Sequence, residues 1–103
     1  MNKQVRADVF ERAAGKCEAG SCDRTPEELD HFFGRAKADE TVENCWAICR
    51  EHHREKTDNF PSRAYWLARF GLHSKRCGHM GALERVLQSL EFVTARSSIG
   101  DNL

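Results

Sequence analysis

A chain of 103 residues has room for one domain and none for a second independent core. Hydrophobic residues make up 40% and charged residues 31%, an ordinary globular balance, and no apolar stretch approaches the ~18 residues of a membrane helix. Net charge is zero, so bulk charge gives no support to nucleic-acid binding, and the opening MNKQVRADVF has no long apolar core of a secretory signal, so a soluble, cytoplasmic protein is expected. Charge is unevenly spread. Residues 17–49 hold three Lys/Arg against eight Asp/Glu, and residues 50–76 hold seven against three. Acidic groups thus gather around Asp30, and basic groups sit on the flanking helices, where they serve either as solvated faces or as phosphate contacts.

In chain order, residues 4–15 read as a helix, with Val5, Val9, Phe10 and Ala13 as its apolar stripe and Gly15 as its stop. A tight turn spans 17–22. Residues 28–33 read as a short strand, 34–43 as a polar loop, 45–48 as a second strand, and 49–58 as a helix. Pro61 suits the first turn of another helix, with Gly71 as its end. Residues 72–81 read as a loop or frayed helix end, 82–94 as a final helix, and the last seven residues as a mobile tail. Trp46, Tyr65, Trp66 and Phe70 are expected in the core.

Five cysteines leave one unpaired in any disulfide framework, and in a reducing compartment clustered Cys and His read as metal ligands. Cys17 and Cys22 are separated by four residues, Cys49 and His52 by two. Two paired-ligand turns joined by a longer segment mark a tetrahedral structural zinc site. Three thiolates and one imidazole close the shell, and a core this small gains folding stability from such a staple. His53 competes with His52 for the fourth position. Cys45 reads as core. Cys77 and His79 have no second pair and read as structural or incidental.

Removing the zinc ligands leaves Asp30-His31, Asn44 and His53, in that order on strand, loop end and helix. The segments LDH at 29–31, ENCWAIC at 43–49 and CREHHREKT at 49–57 resemble the HNH endonuclease family. The likeness covers roughly residues 6–58. It departs from the family in one place: the usual Cys-x-x-Cys before the helix histidine is Cys49-x-x-His52. The resemblance implies an α+β, mostly helical fold, with a ββα-metal core, a zinc knuckle and flanking helices, including a helical extension over about 61–95. It implies one domain over 1–103 that hydrolyses DNA phosphodiester bonds. His31 is then the general base, Asp30 and His53 hold a divalent ion, and Asn44 holds the loop and orients His31. Mg²⁺ is the default ion, with Mn²⁺, Ni²⁺ or Zn²⁺ as alternatives.

Arg35, Lys37, Arg50, Arg54 and Lys56 are candidate DNA-phosphate contacts, as are Lys3, Arg6, Arg12 and Lys16 on the leading helix. Lys56 serves equally well as a charge complementing the end of its helix. Nothing resembles a base-reading module, so weak sequence preference is expected, or specificity supplied by an assembly partner. A non-catalytic zinc-ribbon module is the competing function, and Asp30, His31 and His53 are the residues it does not need. A toxin-like nuclease with an immunity partner would need an export segment, and none is seen. Small stand-alone members of the family point to a phage or prophage setting.

Overall fold

The Asn2 side chain accepts hydrogen bonds from the Gln4 and Val5 N–H groups, and this cap starts helix α1, Lys3–Ala13. The helix ends where Ala14 and Gly15 turn left-handed. The computed structural model describes the backbone of residues 2–101 and the side chains of residues 2–93. After α1 come β1 (Glu28–His31), a short 3-10 helix (Lys37–Asp39), β2 (Cys45–Ile48), α2 (Arg50–Thr57), α3 (Arg63–Cys77) and α4 (Met80–Asp101). Among the described residues these make a small α+β architecture of four helices and one two-stranded sheet, and no helix there is long and apolar enough to cross a membrane.

The strands pair antiparallel, with Asp30 opposite Trp46 and His31 opposite Cys45. A two-stranded sheet is marginal alone, and here it is covered on both faces. All four β2 residues are buried. Cys45 and Ala47 face α1, packing with Val9 and Ala13 and with the partly buried Val5 and Phe10. Trp46 and Ile48 face the other way, into a core with Phe32, Trp66, Leu67, Phe70 and Val86. Phe32 stacks on Phe70 at 4.2 Å between ring centroids, and Trp46 meets Phe70 edge-on. The expected core residues are there except Tyr65, which is exposed.

Several boundaries differ from expectation. β1 stops at His31 because Phe32 and Phe33, consecutive in sequence, both turn into the core and break the alternation a strand requires. Pro61 precedes α3 instead of opening it, because the Ser62 side chain caps the Tyr65 N–H. Gly71 does not end α3. It is buried against α4, where an added Cβ would lie 3.1 Å from Val86 Cγ1, so its smallness serves helix packing. The helix runs on to Cys77 and closes at a left-handed Gly78, leaving only a short turn where a loop or frayed helix end over 72–81 was expected. α4 continues to Asp101, taking in most of the segment expected as a tail; Asn102 and Leu103 lie outside the described residues.

Candidate metal centre and adjoining cleft

The turn after α1 supplies Cys17 and Cys22, and the β2–α2 junction supplies Cys49 and His52. Their four ligand atoms all lie within 4.8 Å of one another. Cys17 Sγ is 3.4 Å from His52 Nδ1, close to the donor spacing of roughly 3.5 Å that tetrahedral zinc imposes. The Cys49 N–H donates to the Cys17 sulfur at 3.3 Å, and Cys49 Sγ caps α2 by accepting from the His52 N–H. Arg69 of α3 donates to the carbonyls of Ala19 and Gly20 and so ties the first turn to the core.

The electrostatics fit a cation. Burial pushes the Cys17 thiol up to about 12; backbone N–H groups of Ala19 and Cys49 oppose this, and the nearby Cys49 and Cys22 sulfurs add to the rise. The buried Cys17 thiol thus resists ionisation until a divalent ion neutralises it. Burial, reinforced by the charge of Arg69, lowers the pKa of His52, which favours the neutral imidazole a metal needs. This Cys3His cluster can hold a metal such as zinc, and His52, not His53, completes it.

The other histidine of the pair looks elsewhere. Adjacent helical residues diverge by about 100°, and His53 Nε2 lies 3.4 Å from Asp30 Oδ1. Both line an open cleft of about 690 Å³, together with His31, Arg35, Lys56 and Arg63. Asp30 and His31 leave β1 on opposite faces, toward α3 and α1 respectively, yet both reach the cleft, which therefore spans the strand edge. His31 and Arg35 also line a second, smaller cleft with Lys37 and Glu40.

Asp30 is buried and fully engaged. Its Oδ2 accepts from Trp46 Nε1 at 2.9 Å, and the Lys56 ammonium sits 3.0 Å from Oδ1 and 2.9 Å from Oδ2. Lys56, in the last turn of α2, thus points its charge at Asp30. It also donates to the His31 carbonyl. His31 Nε2 lies 3.0 Å from Glu40 Oε1. Glu40 is held below the usual carboxylate range, chiefly by the Asn2 backbone N–H and then by His31.

Asn44 holds the loop as expected. Its side chain accepts from the Phe33 N–H and donates to the carbonyls of Phe33 and Asp39. Among the described residues the hydrogen-bond partner of the His31 ring is Glu40. Arg50 pairs with Glu27 on the surface, and Arg54 is exposed; neither lines the cleft. Arg12 is structural: it pairs with Glu18 and donates to the carbonyls of Val42 and Cys45. Sequence reasoning missed Glu40, Arg63 and the Trp46 contact to Asp30. Glu40 stands in an acidic loop beside Asp39 and Glu43 with nothing local to single it out, and Arg63 lies beyond the motif.

Among the described residues, only the Cys3His cluster gathers three or more metal-ligating side chains at such spacing. No family model, no curated protein and no solved structure matches this chain.

Proposed function

We propose that this protein is a metal-dependent endonuclease of the HNH type, hydrolysing DNA phosphodiester bonds in the cleft beside its zinc cluster. One observation carries the reading: Asp30, His31 and His53 meet in a single open cleft whose other charged residues, Arg35, Lys56 and Arg63, are all cationic. A neutral chain that concentrates cations around two imidazoles is arranged to receive an anion.

The residues present fit a divalent ion. Two donors 3.4 Å apart, one carboxylate oxygen and one imidazole nitrogen, can share a coordination sphere. Asp30 and His53 would hold it, with Mg²⁺ the default and Mn²⁺, Ni²⁺ or Zn²⁺ the alternatives. When bound, it would neutralise charge on the phosphate and the leaving oxygen. Lys56 competes for Oδ1 of Asp30, while Trp46 keeps Oδ2 in place. His31 takes the proton from the attacking water. With Nε2–H donating to Glu40, Nδ1 carries the lone pair of the neutral imidazole. Arg35 and Arg63 bind the phosphate backbone.

The test is nicking of supercoiled plasmid by zinc-loaded protein with Mg²⁺ or Mn²⁺. Nicking that disappears in His31→Ala supports the reading, and intact plasmid across Mg²⁺, Mn²⁺ and Ni²⁺ overturns it. A second reading, a non-catalytic zinc-stapled nucleic-acid-binding module, draws on one fact: Lys56 already neutralises Asp30. It predicts oligonucleotide binding without cleavage.

A further inference from the structure

We propose that His73, Cys77 and His79, at the corner between α3 and α4, form a second metal site, separate from the Cys3His cluster and suited to a soft monovalent cation, Cu⁺. The proposal does not depend on the reading of the cleft.

His73 and Cys77 stand four residues apart on α3, so their side chains share one helix face. The Cys77 sulfur is 4.0 Å from His73 Nδ1 and 3.9 Å from Nε2. His73 is only 3% exposed, and among the described residues that sulfur is the one polar partner of its ring nitrogens. It is a long contact for a hydrogen bond, even to sulfur. After the left-handed turn at Gly78, the His79 N–H donates to the Ser74 carbonyl, and the His79 ring stands 6.5 Å from the His73 ring between centroids. His79 Nδ1 is buried with no hydrogen-bond partner among the described residues, as is the hydroxyl of the fully buried Ser74. Buried polar atoms are rarely left so, and a thiol flanked by two under-satisfied imidazoles is a donor set for an ion.

The spacing selects the kind of ion. With bonds of about 2.3 Å to sulfur and about 2.05 Å to nitrogen, the two donors lie about 3.5 Å apart at a tetrahedral angle and about 3.9 Å apart near 130°. The Cys17–His52 pair of the zinc cluster has the first spacing, and the Cys77–His73 pair has the second. Two imidazoles on one ion put their centroids about 5.5 Å apart at 120° and about 6.4 Å apart in line, so an inward swing of His79 by about 1 Å completes a three-coordinate shell. Wide angles and few ligands, one of them a thiolate, suit Cu⁺. The surrounding charge agrees. Glu18, Arg12 and Arg76 act on His73, one anion against two cations. A thiolate with a monovalent ion adds no net charge there, whereas a divalent ion adds a further positive one.

The experiment titrates Cu⁺, supplied anaerobically from its bicinchoninate complex, into zinc-loaded protein, with released Zn²⁺ followed by a chromogenic chelator. Wild type is compared with Cys77→Ser and His79→Asn. Wild type is expected to take up one equivalent of Cu⁺ and release no Zn²⁺, and each variant to bind it at least about tenfold more weakly. X-ray absorption of the wild-type complex is expected to show one sulfur and two nitrogen donors, a readout independent of how the variants fold. No uptake, or Zn²⁺ released by the first equivalent, overturns the site, as does a shell of two or three sulfurs, which places Cu⁺ in the Cys3His cluster. Unchanged affinity in both variants, with wild-type melting curves, overturns it as well. A second equivalent of Co²⁺ that binds wild type but not Cys77→Ser overturns the choice of a monovalent ion.

Discussion

Replacing Asn44 with Ala removes three hydrogen bonds from one buried position. The Phe33 N–H loses its acceptor at 3.0 Å, and the carbonyls of Phe33 and Asp39 each lose a donor at 2.8 Å. Asn44 is 8% exposed, so water does not readily replace its amide. At about 1 kcal/mol net for each bond, and more where a buried group is left without a partner, the loss is about 3 kcal/mol. That is roughly a third of the stability of a typical small domain. Urea denaturation of zinc-loaded protein, followed by fluorescence of the buried Trp46 and Trp66, measures it. The effect extends to chemistry, because the segment between Phe33 and Asn44 carries Glu40. With that segment released, His31 loses the carboxylate that fixes its ring, and on the proposed nuclease reading nicking should fall by more than the unfolded fraction accounts for. A destabilisation below about 1 kcal/mol would refute the assignment of Asn44 as the loop's anchor. Full nicking by the folded variant would refute the link through Glu40.

Three further outcomes are expected. Lys56→Met removes the ammonium that shares Asp30 with any divalent ion, so Mn²⁺ affinity measured by paramagnetic resonance should rise several-fold; weaker binding would mean that Lys56 supports the ion instead of competing with it. Stripping zinc with a strong chelator, or replacing Cys22 with Ser, should lower Tm by about 10 °C or more, and Co²⁺ substitution should give the visible spectrum of a tetrahedral thiolate site. His73 is buried against Trp46 and Phe70, and burial lowers its pKa from 6.5 to about 4, with Glu18 opposing and Arg12, Arg76 and His79 adding to the fall. The unfolded chain takes up this proton first. Its contribution to stability is therefore present above pH 6.5 and is lost as pH falls toward 4, by about 3 kcal/mol in all. Urea midpoints at pH 7, 5.5 and 4.5 should fall for wild type relative to His73→Leu as the pH drops; a gap that stays constant across the three refutes it.

What was legible in the sequence was what local spacing controls. Cys17, Cys22, Cys49 and His52 announce a metal cluster because each pair is joined by a turn short enough to fix its geometry. The stripe of Val5, Val9, Phe10 and Ala13 announces α1 because a helix has one period. What was illegible depends on neighbours distant in sequence. Gly71 reads as a helix stop until Val86 is seen against it. Lys56 reads as a solvent-facing charge until Asp30, twenty-six positions earlier, is seen under its ammonium. Arg12 reads as a surface cation until the carbonyls of Val42 and Cys45 are seen to hold it. His52 and His53 could not be separated by spacing alone, since both lie near one turn from Cys49; the direction of each ring on a folded helix decides between them.

Those neighbouring rings have a mechanical consequence. The sulfur that starts α2 also belongs to the cluster, and the next turn sends one ring back to that cluster and the other out over the strand edge. The turn works as a crank with two arms fixed at a set angle: a rotation that seats one arm seats the other. One residue inserted between the arms would swing the outer ring by about 100°, which no side-chain adjustment recovers. Drift in length is therefore barred at this point of the chain.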